Sequence, residues 1–292
     1  MIEKRLEEIQ NQYSMGNDHK VVRMVDKLLH VPEYENHYNL LMFKAQSQNN
    51  LHQDDLCIQT YEHIIQLYPE DVLAKFALGV LLASLGQFEE AEHHFQAALV
   101  LDPENLEVIQ ELIGIEIDFN NYEKVLELAE KKLTIDDRDP ITWLTISGAH
   151  DFLEDYREAI KCAKKAVSLA QKDEITLQMA YGDLGYTYSK MKDFSNAEYY
   201  LRKALELDEE DPYSLNNLGF VLANQGMIKE GLEMIDKSIE LDDMNSYAYK
   251  NRAKVYLMMG KKEWAKRELI KAKKLDYELD YGNEVNELLK GL

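Results

Sequence analysis

The five prolines of this chain recur at nearly regular intervals. They are separated by 37, 34, 37 and 72 residues, close to one or two multiples of a common unit, and they are Pro32, Pro69, Pro103, Pro140 and Pro212. Internal repetition of this length means that one supersecondary unit is stacked along the chain, and this constrains the architecture more than composition does. We therefore take the repeat as the starting point.

The clearest copy of the unit lies between Pro69 and Pro103. It reads "EDVLAKFALGVLLASLGQFEEAEHHFQAALVLDP", and its apolar residues recur at helical spacing on both sides of a break at Gly86 and Gln87. The unit is therefore predicted to be a helical hairpin. With only 5 prolines and 13 glycines in 292 residues, the chain has little material for the turns of a strand-rich fold.

Small residues mark the points where the two helices of this unit are expected to cross most closely. They are Gly79, Ala91 and Ala98, and larger apolar side chains fill the space between them: Leu78, Leu82, Phe88 and Phe95. This pattern resembles the tetratricopeptide repeat, a 34-residue pair of antiparallel helices. The resemblance implies an all-α fold, a right-handed α-solenoid of about eight helical hairpins plus a C-terminal capping helix.

The same register extends along nearly the whole chain. We predict a first domain, 1–173, and a second, 178–292, separated by the four extra residues 174–177. The eight predicted units are 2–35, 38–71, 72–105, 106–139, 140–173, 178–211, 212–245 and 246–279.

Two places in this register are predicted to differ from the rest. In the fourth unit Ile113 replaces the small residue of the first helix, so its two helices should approach each other less closely. After the eighth unit, Asn283 is a candidate N-cap for a final helix with Val285, Leu288 and Leu289 on one stripe. Such a helix would cover the apolar face of the last repeat.

Charge and composition exclude several classes of function. The net charge of −21 argues against binding to a nucleic-acid backbone, which requires clustered lysine and arginine. The charged start and the short apolar runs predict neither a secretory signal nor membrane insertion. Cys57 and Cys162 have no metal-type spacing and no disulfide framework around them, which favours a reducing, cytoplasmic location.

The charge reverses its sign toward the C-terminus. Residues 1–177 carry 33 acidic and 16 basic side chains, whereas residues 246–279 carry 4 acidic and 10 basic ones. This asymmetry predicts either a site for an acidic partner at that end, with Lys250 and Lys254 on the first helix of the unit, or self-association of the basic end with the acidic body of another copy.

A short row of polar residues follows the repeat period near the C-terminus. In tetratricopeptide arrays the first helices line the concave side, so the resemblance implies that Asp183, Asn217 and Asn251 lie along one wall of a groove. An asparagine amide offers a donor and an acceptor to a peptide backbone. The row is similar to the asparagine ladder of the O-linked N-acetylglucosamine transferase repeats.

Aromatic residues at neighbouring positions complete a predicted peptide-binding surface, since interface cores combine aromatic and specific polar groups. The full set of predicted site residues is Asp183, Tyr186, Tyr213, Asn216, Asn217, Phe220, Tyr247, Lys250, Asn251 and Lys254.

No catalytic arrangement is found in the sequence. Gly260 and Lys261 lack the further glycines of a phosphate-binding loop, and His93 and His94 have no partner at metal-ligand spacing. We therefore predict a non-enzymatic scaffold or adaptor without cofactor or metal, which binds a peptide or helix segment of a protein partner. The alternative is a structural subunit that assembles through its acidic body and basic C-terminal unit.

Overall fold

A computed structural model describes residues 2–275 and 282–292 of the protein. Within these ranges the chain forms seventeen α-helices and no strand, which confirms the all-α prediction. Their bounds are α1 Ile2–Ser14, α2 Asp18–Leu29, α3 Tyr38–Asn50, α4 Asp54–Leu67, α5 Val72–Ser84, α6 Phe88–Leu101, α7 Leu106–Asp118, α8 Tyr122–Ile135, α9 Pro140–Phe152, α10 Tyr156–Leu169, α11 Glu174–Lys190, α12 Phe194–Leu207, α13 Pro212–Asn224, α14 Ile228–Leu241, α15 Ser246–Met258, α16 Lys262–Leu275 and α17 Gly282–Lys290.

The helices are divided between two compact units, each of which contains several of the predicted repeat units. The first unit ends at Ile135 and holds four hairpins, α1–α8. The second unit begins at Asp136 and holds four more hairpins, α9–α16, followed by α17. Residues 174–177 form the first turn of α11, which has 17 residues where α9 and α13 have 13.

The start of each first helix from α5 onward is fixed by a side-chain cap. An Asp or Asn precedes the helix and its side-chain oxygen accepts a hydrogen bond from a backbone N–H of the first turn, which satisfies a donor that the helix itself leaves free. In α9 and α13 a proline then occupies the first helical position, where its missing N–H costs nothing. The capping residues are Asp71, Asn105, Asp139, Asp173, Asp211 and Asn245.

The closest helix crossing in the second unit lies between α13 and α14. A Cβ atom added to Gly219 would lie 2.5 Å from the carbonyl oxygen of Gly231, and one added to Gly231 would overlap the carbonyl oxygen of Gly219. The two backbones are therefore in contact at this point. Ile235 and Leu218, both buried, fill the space beside the crossing.

The fourth hairpin, formed by α7 and α8, carries a bulky residue where its two helices cross, as its sequence indicates. Ile113 is buried with 1% exposure at the position where other units have a small residue. A side chain of this size holds neighbouring backbones apart, and α7 and α8 indeed pack less closely than α13 and α14. The last helix packs its Val285 into a cluster with Leu269 and Tyr249. The side chain of Asn283, the expected cap, is outside the described residues.

The α13–α14 crossing generates a stability prediction. Gly231→Ala should lower the free energy of unfolding by about 1 to 3 kcal/mol, because the added methyl group requires two backbones to separate. Gly148→Ala in α9 is the matched control, since nothing lies within 4 Å of its Cβ position. We expect the control to be neutral or more stable by up to about 1 kcal/mol, through reduced backbone entropy. Urea denaturation followed by circular dichroism measures both, and an equal loss in the two variants would contradict the close crossing.

Candidate functional site

A cavity of about 390 Å³ opens in the second unit. It is bounded by the end of α9 and by the helices α11, α13 and α15 with the residues that precede them, and these are the first helices of four consecutive hairpins. Its lining residues are Phe152, Gln178, Met179, Gly182, Asp183, Tyr186, Asp211, Tyr213, Ser214, Asn216, Asn217 and Tyr247.

The cavity brings together six of the ten residues predicted from the sequence. These are Asp183, Tyr186, Tyr213, Asn216, Asn217 and Tyr247. The other four lie outside the lining: Phe220, Lys250, Asn251 and Lys254.

The asparagines are hydrogen-bonded to one another. The side-chain nitrogen of Asn251 donates to the side-chain oxygen of Asn216 at 3.1 Å, and the nitrogen of Asn216 lies 3.4 Å from the oxygen of Asn217. Asn216 and Asn251 are 2% and 7% exposed. Asn251 therefore links α15 to α13 inside the protein, and Asn217 is the member of the predicted row, together with Asp183, that borders the cavity.

The two predicted lysines contact the last helix. Lys250 Nζ lies 2.9 Å from one carboxylate oxygen of Glu284, and Lys254 Nζ lies 2.8 Å from the other. Each ammonium group also stands over an aromatic ring, Lys250 over Tyr247 at 4.2 Å and Lys254 over Phe220 at 5.0 Å. The carboxylate that these lysines were predicted to attract from a partner is thus supplied by α17 of the same chain.

This arrangement shifts the ionisation of both groups. Burial by itself raises the pKa of Glu284, but the charges of Lys250 and Lys254 and their hydrogen bonds outweigh it and lower that pKa to about 2. Burial lowers the pKa of Lys250, against the attraction of Glu284. The docking of α17 is therefore stabilised while the carboxylate of Glu284 is charged.

The carboxylate of Asp183 has a different environment. It makes no hydrogen bond or ion pair with any residue in the described part of the chain, and burial raises its pKa to about 7, with a further contribution from the charge of Asp151. Asp151 accepts a hydrogen bond from Thr187, yet its Oδ1 is buried without a partner. The charge of Asp151 thus acts on Asp183, which borders the cavity.

Ser214 supplies a second polar group without a partner. Its side chain is 1% exposed and its Oγ makes no hydrogen bond with a described residue, although it belongs to the cavity lining. At the rim, Phe152 and Tyr213 are 58% and 59% exposed. The cavity therefore combines a buried hydroxyl oxygen without a described partner, that of Ser214, with accessible aromatic surface at its rim. Ligand sites use this mixture for orientation and affinity.

Six lining residues were not among the ten predicted site residues, although the repeat period points to two of them. They are Phe152, Gln178, Met179, Gly182, Asp211 and Ser214. Met179 stands 34 residues before Tyr213, and Gly182 stands 34 before Asn216. Extending each predicted position by one repeat toward the N-terminus would have identified both. Gln178, Asp211 and Ser214 have no such signal, because they face the cavity through helix ends and caps.

No group of three or more histidine, cysteine, aspartate or glutamate side chains in the described residues has the geometry to hold a metal ion. None of the helices there has the length and apolar character that crossing a bilayer requires.

Comparison with known proteins identifies the repeat. The tetratricopeptide repeat family models match residues 72–105, 141–173 and 179–211. These stretches coincide with the third, fifth and sixth predicted units. The chain thus contains tetratricopeptide repeats.

Two human proteins are similar in sequence to part of this chain. Human tetratricopeptide repeat protein 6 is 27% identical over 154 residues, which cover 52% of this chain and 28% of that protein. Human N-alpha-acetyltransferase 16, NatA auxiliary subunit, is 24% identical over 190 residues, which cover 64% of this chain and 20% of that protein. The chain therefore spans less than a third of the length of these relatives.

A solved structure agrees with the fold over most of the chain. The crystal structure of a tetratricopeptide repeat protein from Parabacteroides merdae superposes with a TM-score of 0.74 at 16% identity. The match covers 87% of this chain and 97% of the other. At this identity the likeness confirms the tetratricopeptide solenoid fold. The likeness of the Asp183, Asn217 and Asn251 row to the transferase ladder finds no support in these comparisons.

The contact between Glu284 and the two lysines generates a second prediction. Glu284→Gln should weaken the docking of α17 by about 1 to 2 kcal/mol, because it leaves the buried Lys250 charge without its carboxylate, while partial exposure screens the loss. Glu287→Gln is the matched control, since within the described ranges Glu287 forms an ion pair only with Lys290 of the same helix. Hydrogen exchange of the α17 amides should accelerate in the first variant and stay unchanged in the second.

The same contact predicts a direction of pH dependence. The pKa of Glu284 is lowered from 4.5 to about 2, so its stabilising contribution is complete above about pH 4.5 and is lost as the pH falls through 2. Near neutral pH Glu284 therefore stays ionised and contributes fully to the protection of α17, so its titration does not change that protection there. Equal exchange in the wild type and Glu284→Gln at pH 6 would contradict the contact.

Proposed function

We propose that the second unit binds a segment of another protein in the cavity bordered by Asp183, Ser214 and Asn217, and that the protein acts as a non-enzymatic scaffold or adaptor. The observation that carries this proposal is the combination of exposed aromatic rings with a buried polar atom, the Oγ of Ser214, that has no partner among the described residues. A buried polar group without a hydrogen bond costs free energy, and a ligand that supplies the bond recovers it.

The family supports this proposal in general terms. Tetratricopeptide repeats are protein-interaction scaffolds, and one relative bears the name of an auxiliary subunit. A role as the non-catalytic member of an assembly, in the cytoplasm, is consistent with the repeats and with the acidic surface.

The residues that make the site have separate roles in this proposal. Tyr213 and Phe152 provide apolar contact surface at the rim, and Asn217 offers its amide to the backbone of the bound segment. Asn251 and Lys250 act indirectly, because their hydrogen bonds to Asn216 and Glu284 fix α13, α15 and α17 against one another.

A selection for peptides tests this proposal. A phage-displayed library of random twelve-residue peptides, panned on the full chain, should yield peptides that Tyr213→Ser binds at least about tenfold more weakly, a loss of roughly 1.4 kcal/mol. The matched control is Tyr199→Ser on α12, because Tyr199 has similar exposure, 56% against 59%, and lies away from the cavity.

The outcome separates the cavity from the remaining surface. Peptides that bind the wild type and Tyr199→Ser equally but lose affinity for Tyr213→Ser support the proposal. Peptides that bind all three proteins equally, or a selection that returns no peptide dependent on Tyr213, would contradict it.

A second candidate function is assembly through opposite charges. Lys262, Lys266 and Lys274 remain exposed on α16, whereas the chain as a whole is strongly acidic. A head-to-tail contact of this kind is heterologous and weakens with salt. Sedimentation velocity at 20 and 500 mM salt should show association that disappears at the higher concentration and in the triple Lys→Glu variant. A monomer at both concentrations would exclude this alternative.

A further inference from the structure

We propose that the cavity of the second unit accepts a cationic side chain, an arginine or lysine of the bound segment, with its charged group between Asp183 and Ser214. This inference rests on the proposed function, because it names the chemistry of the residue that enters the same cavity. It reverses the charge preference that the sequence predicted for the C-terminal repeats.

The charge of the lining favours a cation. Its twelve residues include two carboxylates, Asp183 and Asp211, and no lysine or arginine. Asp211 is already engaged, because it caps α13 and accepts a hydrogen bond from Gln178 at 2.9 Å. Asp183 is the carboxylate that remains without a hydrogen bond among the described residues, and Asp151 adds a second negative charge nearby.

The lysines near the cavity interact with groups other than Asp183. Lys250 contacts Glu284, and Lys190 lies over the ring of Tyr186 at 5.6 Å while it attracts Asp151. The negative charge of Asp183 is therefore not neutralised by an ion pair with either of them. A like charge and burial both oppose its ionisation, and a positive group placed beside it would remove that cost.

Ser214 gives an independent indication of the ligand. Its Oγ is buried, lacks a hydrogen bond and faces Gly182, on which a Cβ atom would lie 3.6 Å from that oxygen. At the same repeat position the following units have Asn216 and Lys250. The missing side chain at Gly182 thus leaves a path from the cavity to the hydroxyl group.

One ligand group with several hydrogen-bond donors can bind both the Asp183 carboxylate and the Ser214 hydroxyl oxygen. An ammonium group carries three N–H donors and a guanidinium group carries five, and neither can accept. Such a group can donate to the Asp183 carboxylate and to the Ser214 hydroxyl at once, while its apolar stem lies against the exposed rings of Phe152 and Tyr213. A carboxylate ligand would instead meet Asp183 and Asp151 as like charges.

A titration with small compounds tests this inference directly. N-acetyl-arginine methylamide, its lysine and glutamate counterparts, and the neutral isostere N-acetyl-citrulline methylamide are added to isotope-labelled full-length protein at pH 8, where a carboxyl group with a pKa of about 7 is ionised. The amide resonances of Asp183, Ser214 and Asn217 are followed. We expect the arginine or the lysine compound to bind at least about fivefold more tightly than citrulline, because its hydrogen bonds are charge-assisted.

Two variants and a control separate charge from shape. Asp183→Asn should remove the preference for arginine over citrulline, and Asp243→Asn, an exposed substitution of the same kind, should keep it. Gly182→Ala leaves every charge in place but fills the space in front of Ser214, so it should weaken the arginine compound at least about threefold through steric exclusion.

Three results would overturn the inference. They are equal binding of arginine, lysine and citrulline compounds, tighter binding of the glutamate compound, and resonance shifts confined to residues outside the cavity. None of these depends on the peptide selection. Peptides that require Tyr213 but show no preference for basic residues would contradict the cationic site and leave the proposed function in place. The absence of any peptide that requires Tyr213 would contradict the proposed function itself.

Discussion

The contact on which the rest of the structure depends is the close crossing of the two helices within each hairpin. It is tightest between α13 and α14, where Gly219 and Gly231 allow the backbones to touch. A small residue recurs at this position in several repeat units, among them Gly79 and Gly185, and the hairpins repeat with the same period along the sequence. The stacking in turn places the first helices of neighbouring units side by side, so that residues 34 apart become neighbours in space.

The cavity forms at a repeat position where consecutive repeat units carry different side chains. Gly182, Asn216 and Lys250 share one repeat position. Gly182 has no side chain there, the buried amide of Asn216 is hydrogen-bonded to Asn251, and the ammonium group of Lys250 is bonded to Glu284. Each unit thus uses the same place on the scaffold for a different purpose. The cavity opens beside the repeat unit that has no side chain there. At this place the buried Oγ of Ser214 has no hydrogen bond, and Asp183 has no ion pair, among the described residues.

The sequence predicts the fold far better than the site. Hydrophobic period, caps and small residues are local features, and they identify the hairpins and the less closely packed fourth unit through Ile113. The period also places Asp183, Tyr213 and Asn217 at one cavity. The contact of Lys250 with Glu284 was not predicted because the repeat register was taken to end at residue 279, although the two residues are 34 apart, one repeat period. The burial of Asn251 was not predicted either, because the period places it beside Asn216 without showing that the two amides bond to each other.

The most direct test of the central claim, that this cavity binds a segment of another protein, is site-specific photocrosslinking. Benzoylphenylalanine is placed at Tyr213 or at Tyr199 in the full chain, and each protein is irradiated with the same peptide obtained by selection against the wild type. The structure predicts a crosslinked product at position 213 and none at position 199. Crosslinking at 199 without a product at 213 would show that the peptide binds another surface and would contradict the proposed site.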